Sequence, residues 1–271
     1  MRGWWREIAG LVLPVACGGC GRPRTALCPE CAGELTGAGP RRVRPAPEPS
    51  GLPVVHAVAP YADAVRELLL AHKERGALAL AGPLGGALAE AVKASAGPAT
   101  GPAPPPLLLV PVPSSRRSVR ARGHDPTRRI ALAAAARLRR GGRAARVVPV
   151  LRQRRYVADQ AGLGARGRLA NLSGALEIVP GGARLIESGR VVLVDDLMTT
   201  GASLAEAARA LADVHLPFIP GLAQGLREGS AEGSARHGIE QRKAAVIASS
   251  PASFEINRNS PRTWIVAGGE R

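Results

Sequence analysis

The sequence has few aromatic residues, no long apolar run and no Walker motif, and each of these features argues against a class of function or site. Its aromatic residues are three Trp, two Tyr and two Phe among 271 residues. So few rings argue against a surface that stacks the bases of single-stranded nucleic acid. No apolar run approaches the ~18 residues of a membrane span, so we expect no membrane-spanning segment. A Walker loop is excluded because no Gly-Lys-Ser or Gly-Lys-Thr sequence occurs.

The positive charge is strong and consists almost entirely of arginine. The formal net charge is +16, and Lys73, Lys93 and Lys243 are the only lysines. Fourteen arginines and one acid lie between Ser114 and Arg155. Such a balance attracts polyanions and suits a polyphosphate substrate, and it predicts weak, sequence-independent DNA binding through phosphates. The alternatives are a solvated basic face, or the arginine-rich composition of a GC-rich genome.

All four cysteines lie close together near the N-terminus. They form two Cys-x2-Cys pairs separated by seven residues, with the members Cys17, Cys20, Cys28 and Cys31. Four thiolates in two tight turns suit a tetrahedral, structural zinc ion. Two disulfides, or reduced thiols without metal, are the alternatives. We favour zinc because the rest of the chain is typical of a cytoplasmic protein, where disulfides are rare.

The remaining pattern alternates short apolar runs with helical periodicities, which predicts an α/β fold with a parallel sheet flanked by helices. The predicted organisation is a zinc-knuckle module at 1–36, a linker at 37–53, an α/β domain at 54–259 and a tail at 260–271. Within the domain, 212–242 is predicted to be an irregular insertion, and 97–106 a mobile Gly/Pro/Ala loop. The polar segment 160–176 suits either a flexible lid or an ordinary surface loop.

The most informative stretch is Arg190 to Leu204. The apolar run Val191–Val194 predicts a strand buried on both faces, and two acids follow it. A loop with hydroxyls and a glycine comes next, and then apolar residues recur at the spacing of a helix face. A helix N-terminus preceded by such a loop binds phosphate, and carboxylates accept hydrogen bonds from sugar hydroxyls. The combination predicts a ligand with a phosphate on one side and a diol on the other, such as a ribose 5-phosphate.

The predicted ligand-binding residues of this stretch are Asp195, Asp196, Thr199, Thr200, Gly201, Ala202 and Ser203. A second anion-binding segment is predicted after the strand Leu107–Val112. There, Pro113, Ser114 and Ser115 lead to Arg116 and Arg117. Both arginines are therefore included among the predicted substrate-binding residues.

The stretch Val191 to Ser203 resembles the signature of the type I phosphoribosyltransferases. The chain as a whole resembles the ComF family, a phosphoribosyltransferase-like family named for competence. That resemblance rests on the signature, the four cysteines, Tyr61 with Lys73, the segment 107–123, and a set of positions around the predicted lid. This set comprises Arg152, Arg154, Gln160, Leu163, Arg168, Asn171 and Gly174. The chain departs from the family at 123–126, where Gly-His-Asp-Pro replaces the usual Gly-Phe-Asn-Gln.

The resemblance implies a type I phosphoribosyltransferase-like fold that binds phosphoribosyl pyrophosphate and Mg²⁺. In such proteins the acid pair holds the ribose hydroxyls and the loop holds the 5-phosphate. The implied reaction transfers a phosphoribosyl group to an unknown acceptor. Thr199 occupies the position where 6-oxopurine salvage enzymes usually carry an Asp, so no catalytic base can be named. The alternative is a non-catalytic nucleotide- or DNA-binding component of DNA uptake, with competence proteins as partners.

Overall fold

A computed structural model describes residues 15–37, 39–155, 165–213 and 243–255. The helices are α1 (Pro29–Thr36), α2 (Asp63–Glu74), α3 (Ala81–Ala96), α4 (Arg116–Arg122), α5 (Pro126–Arg140), α6 (Ala165–Leu172), α7 (Gly182–Ile186), α8 (Ala202–Ala212) and α9 (Pro251–Glu255). The strands are β1 (Arg41–Val43), β2 (Val54–Pro60), β3 (Leu107–Pro111), β4 (Ala145–Val147), β5 (Leu151–Gln153), β6 (Leu176–Ile178), β7 (Arg190–Met198) and β8 (Lys243–Ser249). A short 3₁₀ turn, Leu78–Leu80, connects α2 to α3.

Six strands form a mostly parallel sheet in the order β1-β2-β8-β7-β3-β4. Only β1 runs antiparallel to its neighbour, β2. Strand β7 lies in the interior, with Val192 opposite Leu109 of β3 and Val194 opposite Ala245 of β8. This placement explains the apolar run of β7, because an interior parallel strand is covered by other elements on both faces. The α/β fold and the mostly parallel sheet expected from the sequence are confirmed.

Helices cover both faces of the sheet. On one face α3 packs closely on α5: a Cβ atom on Gly85 would lie 2.4 Å from the Cβ of Ala133. On the other face α8 packs through Leu204, Ala207, Ala208 and Leu211, all of them buried. These four residues are the helix face predicted by their three- and four-residue spacing. A second, two-stranded sheet of β5 and β6 packs beside α8.

Several element boundaries follow from local sequence. Asp125 followed by Pro126 predicts a helix start, and α5 begins there: the Asp125 side chain accepts a hydrogen bond from the Arg128 N–H at 3.0 Å, and Pro126 is the first helical residue. In contrast, the apolar stretch Val147–Leu151, whose composition predicts a single strand, is divided between β4 and β5. The predicted linker contributes β1, and Val43 of that strand is buried in the core.

Parts of the sequence-based interpretation fall outside the described residues. They include nearly all of the predicted insertion 212–242, the tail 260–271 and the first part of the predicted lid, through residue 164. Among the residues that are described, no helix is long and apolar enough to cross a membrane.

Candidate functional site

Strand β7 carries the acid pair near its carboxyl end. The strand continues through both acids to Met198, four residues beyond the apolar run that predicted it. Asp196 is 5% exposed, whereas Asp195 is partly exposed. Ligands of open α/β sheets bind at the carboxyl ends of the strands, so the pair lies where such a ligand would be expected.

Lys73 pairs with the buried member of the acid pair. Its Nζ donates to Oδ2 of Asp196 at 3.0 Å, and the lysine side chain is 34% exposed. Lys73 lies in the last turn of α2, 123 residues before Asp196 in the chain. Lys73 was not among the predicted site residues, because spacing cannot show a contact between residues so far apart. Two signals could have singled it out: the scarcity of lysine, and its place among the positions that carry the family resemblance.

The pKa values of the two carboxylates are shifted in opposite directions. Burial and the neighbouring Asp196 charge raise the pKa of Asp195 well above its ordinary value. Burial also acts to raise the pKa of Asp196, but the charge and hydrogen bond of Lys73 outweigh it and lower that pKa. The Asp195 side chain accepts a hydrogen bond from the Asp196 N–H at 2.8 Å. One carboxylate is thus neutralised by a lysine, while the other has no comparable cation within the described residues.

The loop after β7 leads directly into α8. Gly201 has φ +77° and caps the helix without a side-chain hydrogen bond, so the first N–H groups of α8 can donate to a bound anion. Thr200 Oγ1 accepts a weak hydrogen bond from the Ala202 N–H at 3.4 Å. Gly201 also packs against the segment before β2, because a Cβ atom there would lie 2.9 Å from Leu52. The predicted linker therefore forms one side of the candidate phosphate loop.

The loop after β3 lies beside the loop after β7, because the two strands are paired. Ser115 caps α4 by accepting a hydrogen bond from the Ser118 N–H at 3.0 Å. Arg117 is exposed on that helix, and Arg116 is its first residue. At the other end of α4, Arg122 pairs with Glu74 at 3.0 Å, next to Lys73 in α2. Both anion-binding segments predicted from the sequence thus border the same edge of the sheet.

The four cysteines form a separate cluster at the N-terminal end of the described chain. Their sulfur atoms all lie within 4.8 Å of one another, and none forms a disulfide. A tetrahedron of zinc–sulfur bonds of ~2.3 Å places its sulfurs about 3.8 Å apart, so the cluster fits a four-thiolate ion. Burial acts to raise the pKa of Cys17, but N–H donors from Cys20, Cys28 and Gly19 lower it to about 6. The set could therefore hold a structural zinc.

The cluster belongs to the main core and not to a detached module. Cys17, Cys28 and Cys31 pack in one apolar cluster with Leu68 of α2 and Leu84 of α3. A Cβ atom on Gly18 would lie 2.8 Å from Leu80 and 3.2 Å from Ala71. The cysteine turns therefore lie directly on the helix that carries Lys73.

No protein-family model matches the chain, and no curated protein matches it.

Proposed function

We propose that the protein binds phosphoribosyl pyrophosphate together with Mg²⁺ and transfers its phosphoribosyl group to an acceptor nitrogen. The observation that carries this proposal is the acid pair on β7 followed at once by a glycine-capped helix. The two carboxylates can accept hydrogen bonds from the ribose hydroxyls. The N–H groups of α8, together with the hydroxyls of Thr199, Thr200 and Ser203, can donate hydrogen bonds to the 5-phosphate. This division of polar groups matches a ligand that has a diol and a phosphate on the same sugar.

In the proposed reaction a bond forms between C1 of the ribose and the acceptor nitrogen. The bond between C1 and the pyrophosphate oxygen breaks, and its electron pair leaves with pyrophosphate. Charge therefore builds on the leaving group, and Mg²⁺ bound to the substrate would neutralise part of it. Arg117 is an exposed cation beside the same edge of the sheet, so it is our candidate for binding the pyrophosphate end.

Lys73 supports this proposal in a second way. An unliganded site with two adjacent carboxylates needs a cation, and Lys73 supplies one at 3.0 Å from Asp196. The pair fixes the buried carboxylate and leaves Asp195 available to a ligand. We propose that Lys73 positions Asp196 for hydrogen bonding to the ribose.

Ligand-induced stabilisation tests the binding step. At a hundredfold excess over its dissociation constant, phosphoribosyl pyrophosphate with Mg²⁺ should add about 2.7 kcal/mol to the free energy of unfolding. The double variant Asp195→Asn, Asp196→Asn should lose that gain. Glu90→Gln is the control, because Glu90 forms a solvent-exposed ion pair with Lys93 on α3. Equal protection in the double variant and the control would contradict the assignment of the acids.

Pyrophosphate release tests the transfer step. We expect release from phosphoribosyl pyrophosphate when the correct acceptor base is supplied, and no release from the double variant. Binding without release for any purine, pyrimidine or pyridine acceptor would instead favour a non-catalytic nucleotide-binding protein.

A second candidate function is weak DNA binding, which would suit a role with DNA-uptake proteins. Five arginines of α5 are exposed, namely Arg128, Arg129, Arg137, Arg139 and Arg140. Each neutralised phosphate should contribute about −0.9 to the slope of log affinity against log salt. The variant Arg137→Ala, Arg140→Ala should therefore make the slope shallower by about 1.8. An unchanged slope would exclude this helix as the DNA contact.

A further inference from the structure

A cavity of about 530 Å³ lies at the amino edge of the sheet, opposite the acid pair. Its walls come from three connecting segments: the one before β3, the one between α5 and β4, and the one between α7 and β7. The charged lining residues are Arg143, Glu187 and Arg190. Arg190 and Asp196 are the first and seventh residues of β7, so about 20 Å separate this cavity from the candidate phosphoribosyl site. The two regions cannot contact the same small molecule.

The walls of the cavity are joined by backbone hydrogen bonds. The Arg190 N–H donates to the Pro106 carbonyl at 2.8 Å, and the Leu107 N–H donates to the Ala144 carbonyl at 2.9 Å. Gly189 lies so close to the first wall that a Cβ atom would be 2.3 Å from the Pro106 oxygen. The three segments are therefore fixed to one another without a ligand. The cavity is open to solvent, since Thr100, Glu187 and Ser188 in its lining are exposed, and its volume lies in the range of small-molecule sites.

The cavity combines positive charge with apolar faces. Two guanidinium groups and one carboxylate line it, and a third arginine lies at its margin, because Arg146 donates a hydrogen bond to the lining residue Ser188. Pro98, Pro104 and Pro105 form an apolar wall. Arginines bind phosphate with paired, charge-assisted hydrogen bonds, and Glu187 can accept from ligand hydroxyls. The volume also exceeds what a lone phosphate ion would fill.

We propose that this cavity is a second ligand site, which binds a small organic phosphate. The phosphate lies between Arg143 and Arg190, and the organic part lies against the proline wall. The segment 97–106, predicted from sequence as a mobile loop, is in this proposal the apolar side of the site. The proposal does not depend on phosphoribosyl transfer, because none of its residues belongs to the acid pair or to the loop after β7.

Nuclear magnetic resonance with adenosine 5′-monophosphate as probe tests the proposal in the full chain. Amide signals of Ala144, Ser188 and Gly189 report on the cavity, whereas those of Thr200 and Gly201 report on the other edge of the sheet. We expect saturable shifts of the cavity signals with adenosine 5′-monophosphate, weaker ones with inorganic phosphate and none with adenosine. Shifts confined to Thr200 and Gly201 would overturn the proposal.

Three variants distinguish a pre-formed site from a general attraction of anions. Arg143→Ala should weaken cavity binding at least tenfold, since it removes a charged donor. Arg140→Ala removes the same charge from an exposed position nearby and should change the affinity less than twofold. Thr100→Trp should block binding without a change of charge, because Thr100 lines the cavity from its exposed loop. Equal weakening by both arginine variants, or undiminished binding in Thr100→Trp, would overturn the proposal.

Discussion

The two acids of β7 should respond in opposite directions to the same substitution. Asn has nearly the shape of Asp and keeps an acceptor oxygen, so Asp195→Asn preserves the hydrogen bond from the Asp196 N–H. The substitution also removes the negative charge of a carboxyl group whose pKa is raised in the folded protein. This variant should therefore stabilise the unliganded protein at pH 7. Asp196→Asn should destabilise it, because the substitution leaves Lys73 without its carboxylate partner.

The burial of the Lys73–Asp196 ion pair sets the expected size of the Asp196→Asn effect on stability. Breaking a fully buried ion pair costs about 3–5 kcal/mol and an exposed one about 0–1 kcal/mol. The Lys73–Asp196 pair is intermediate, because the side chains are 34% and 6% exposed, so we expect a loss of about 2 kcal/mol. A raised carboxylate pKa means that folding disfavours the charged form, so we expect Asp195→Asn to raise the free energy of unfolding. The melting temperature should move by roughly 2–4 °C per kcal/mol.

The dependence on pH provides the refutation. The lowered pKa of Asp196 gives stability that is present above the unfolded value of ~3.9 and is lost as pH falls through the folded pKa. The raised pKa of Asp195 lowers the free energy of unfolding, and this loss grows as pH rises above the unfolded pKa of ~3.9. The stabilisation by Asp195→Asn should therefore shrink as pH falls from 7 toward 4. The destabilisation by Asp196→Asn should persist over this range and shrink only below about pH 4. If both variants were destabilised at pH 7, or if the stabilisation by Asp195→Asn did not shrink as pH falls, this account of the acid pair would be refuted.

Three further predictions concern packing, a buried network and the metal. Gly85→Ala should lower the free energy of unfolding by about 1–3 kcal/mol, because the new Cβ atom would meet Ala133. Gly86→Ala has open space at the Cβ position and should be neutral or slightly stabilising in a thermal melt. Glu206→Gln should lower the free energy of unfolding by about 1–2 kcal/mol, because the buried carboxylate accepts hydrogen bonds from Arg209 and from the Leu176 N–H. The exposed control Glu90→Gln should lower it by less than ~0.5 kcal/mol. Metal analysis of the purified protein should find one zinc per chain, and two disulfides by mass spectrometry would contradict the zinc site.

The proposed function would explain the unfavourable charge of Asp195. A protein selected for stability alone would place no second carboxylate beside a buried one. Asp195 lies at the edge of the sheet where ligands of open α/β folds bind. If ligand hydroxyls donate to Asp195, as we propose, they would remove the cost, and the unfavourable charge of the free protein would become binding free energy in the complex. Such a conflict between stability and activity is usual at binding sites.

Local sequence was sufficient to predict the parts of the fold that depend on local chemistry. The start of α5 was predictable because it depends on neighbouring residues alone: Asp125 caps the helix by accepting from the Arg128 N–H, and Pro126 suits the first helical position. The interior position of β7 was predictable because its apolar run lacks alternation. The candidate loop followed from the same stretch, since the acids, the glycine and the helix are consecutive in the chain.

The sequence could not reveal contacts that depend on the folded arrangement. The Lys73–Asp196 pair, the covering of Gly201 by Leu52, and the hydrogen bonds from Arg209 to β6 all join segments more than 30 residues apart. Strand β1 was missed because it has only three residues, two of them arginines, and its pairing with β2 determines its conformation. The cavity at the amino edge was missed because its walls come from three separate loops.

The cysteine cluster provides a last test, because it shares its core with the sheet. Cys17, Cys28 and Cys31 pack with Leu68 and Leu84, so loss of a bound metal would disturb the contacts that hold α2 and α3. We therefore expect a strong chelator to lower the melting temperature of the whole protein in one transition, and calorimetry can measure this. A detached knuckle joined by a flexible linker would instead melt separately and leave the main transition unchanged. In the one-transition case, chelation should also weaken phosphoribosyl pyrophosphate binding in excess Mg²⁺, because Lys73 is part of α2.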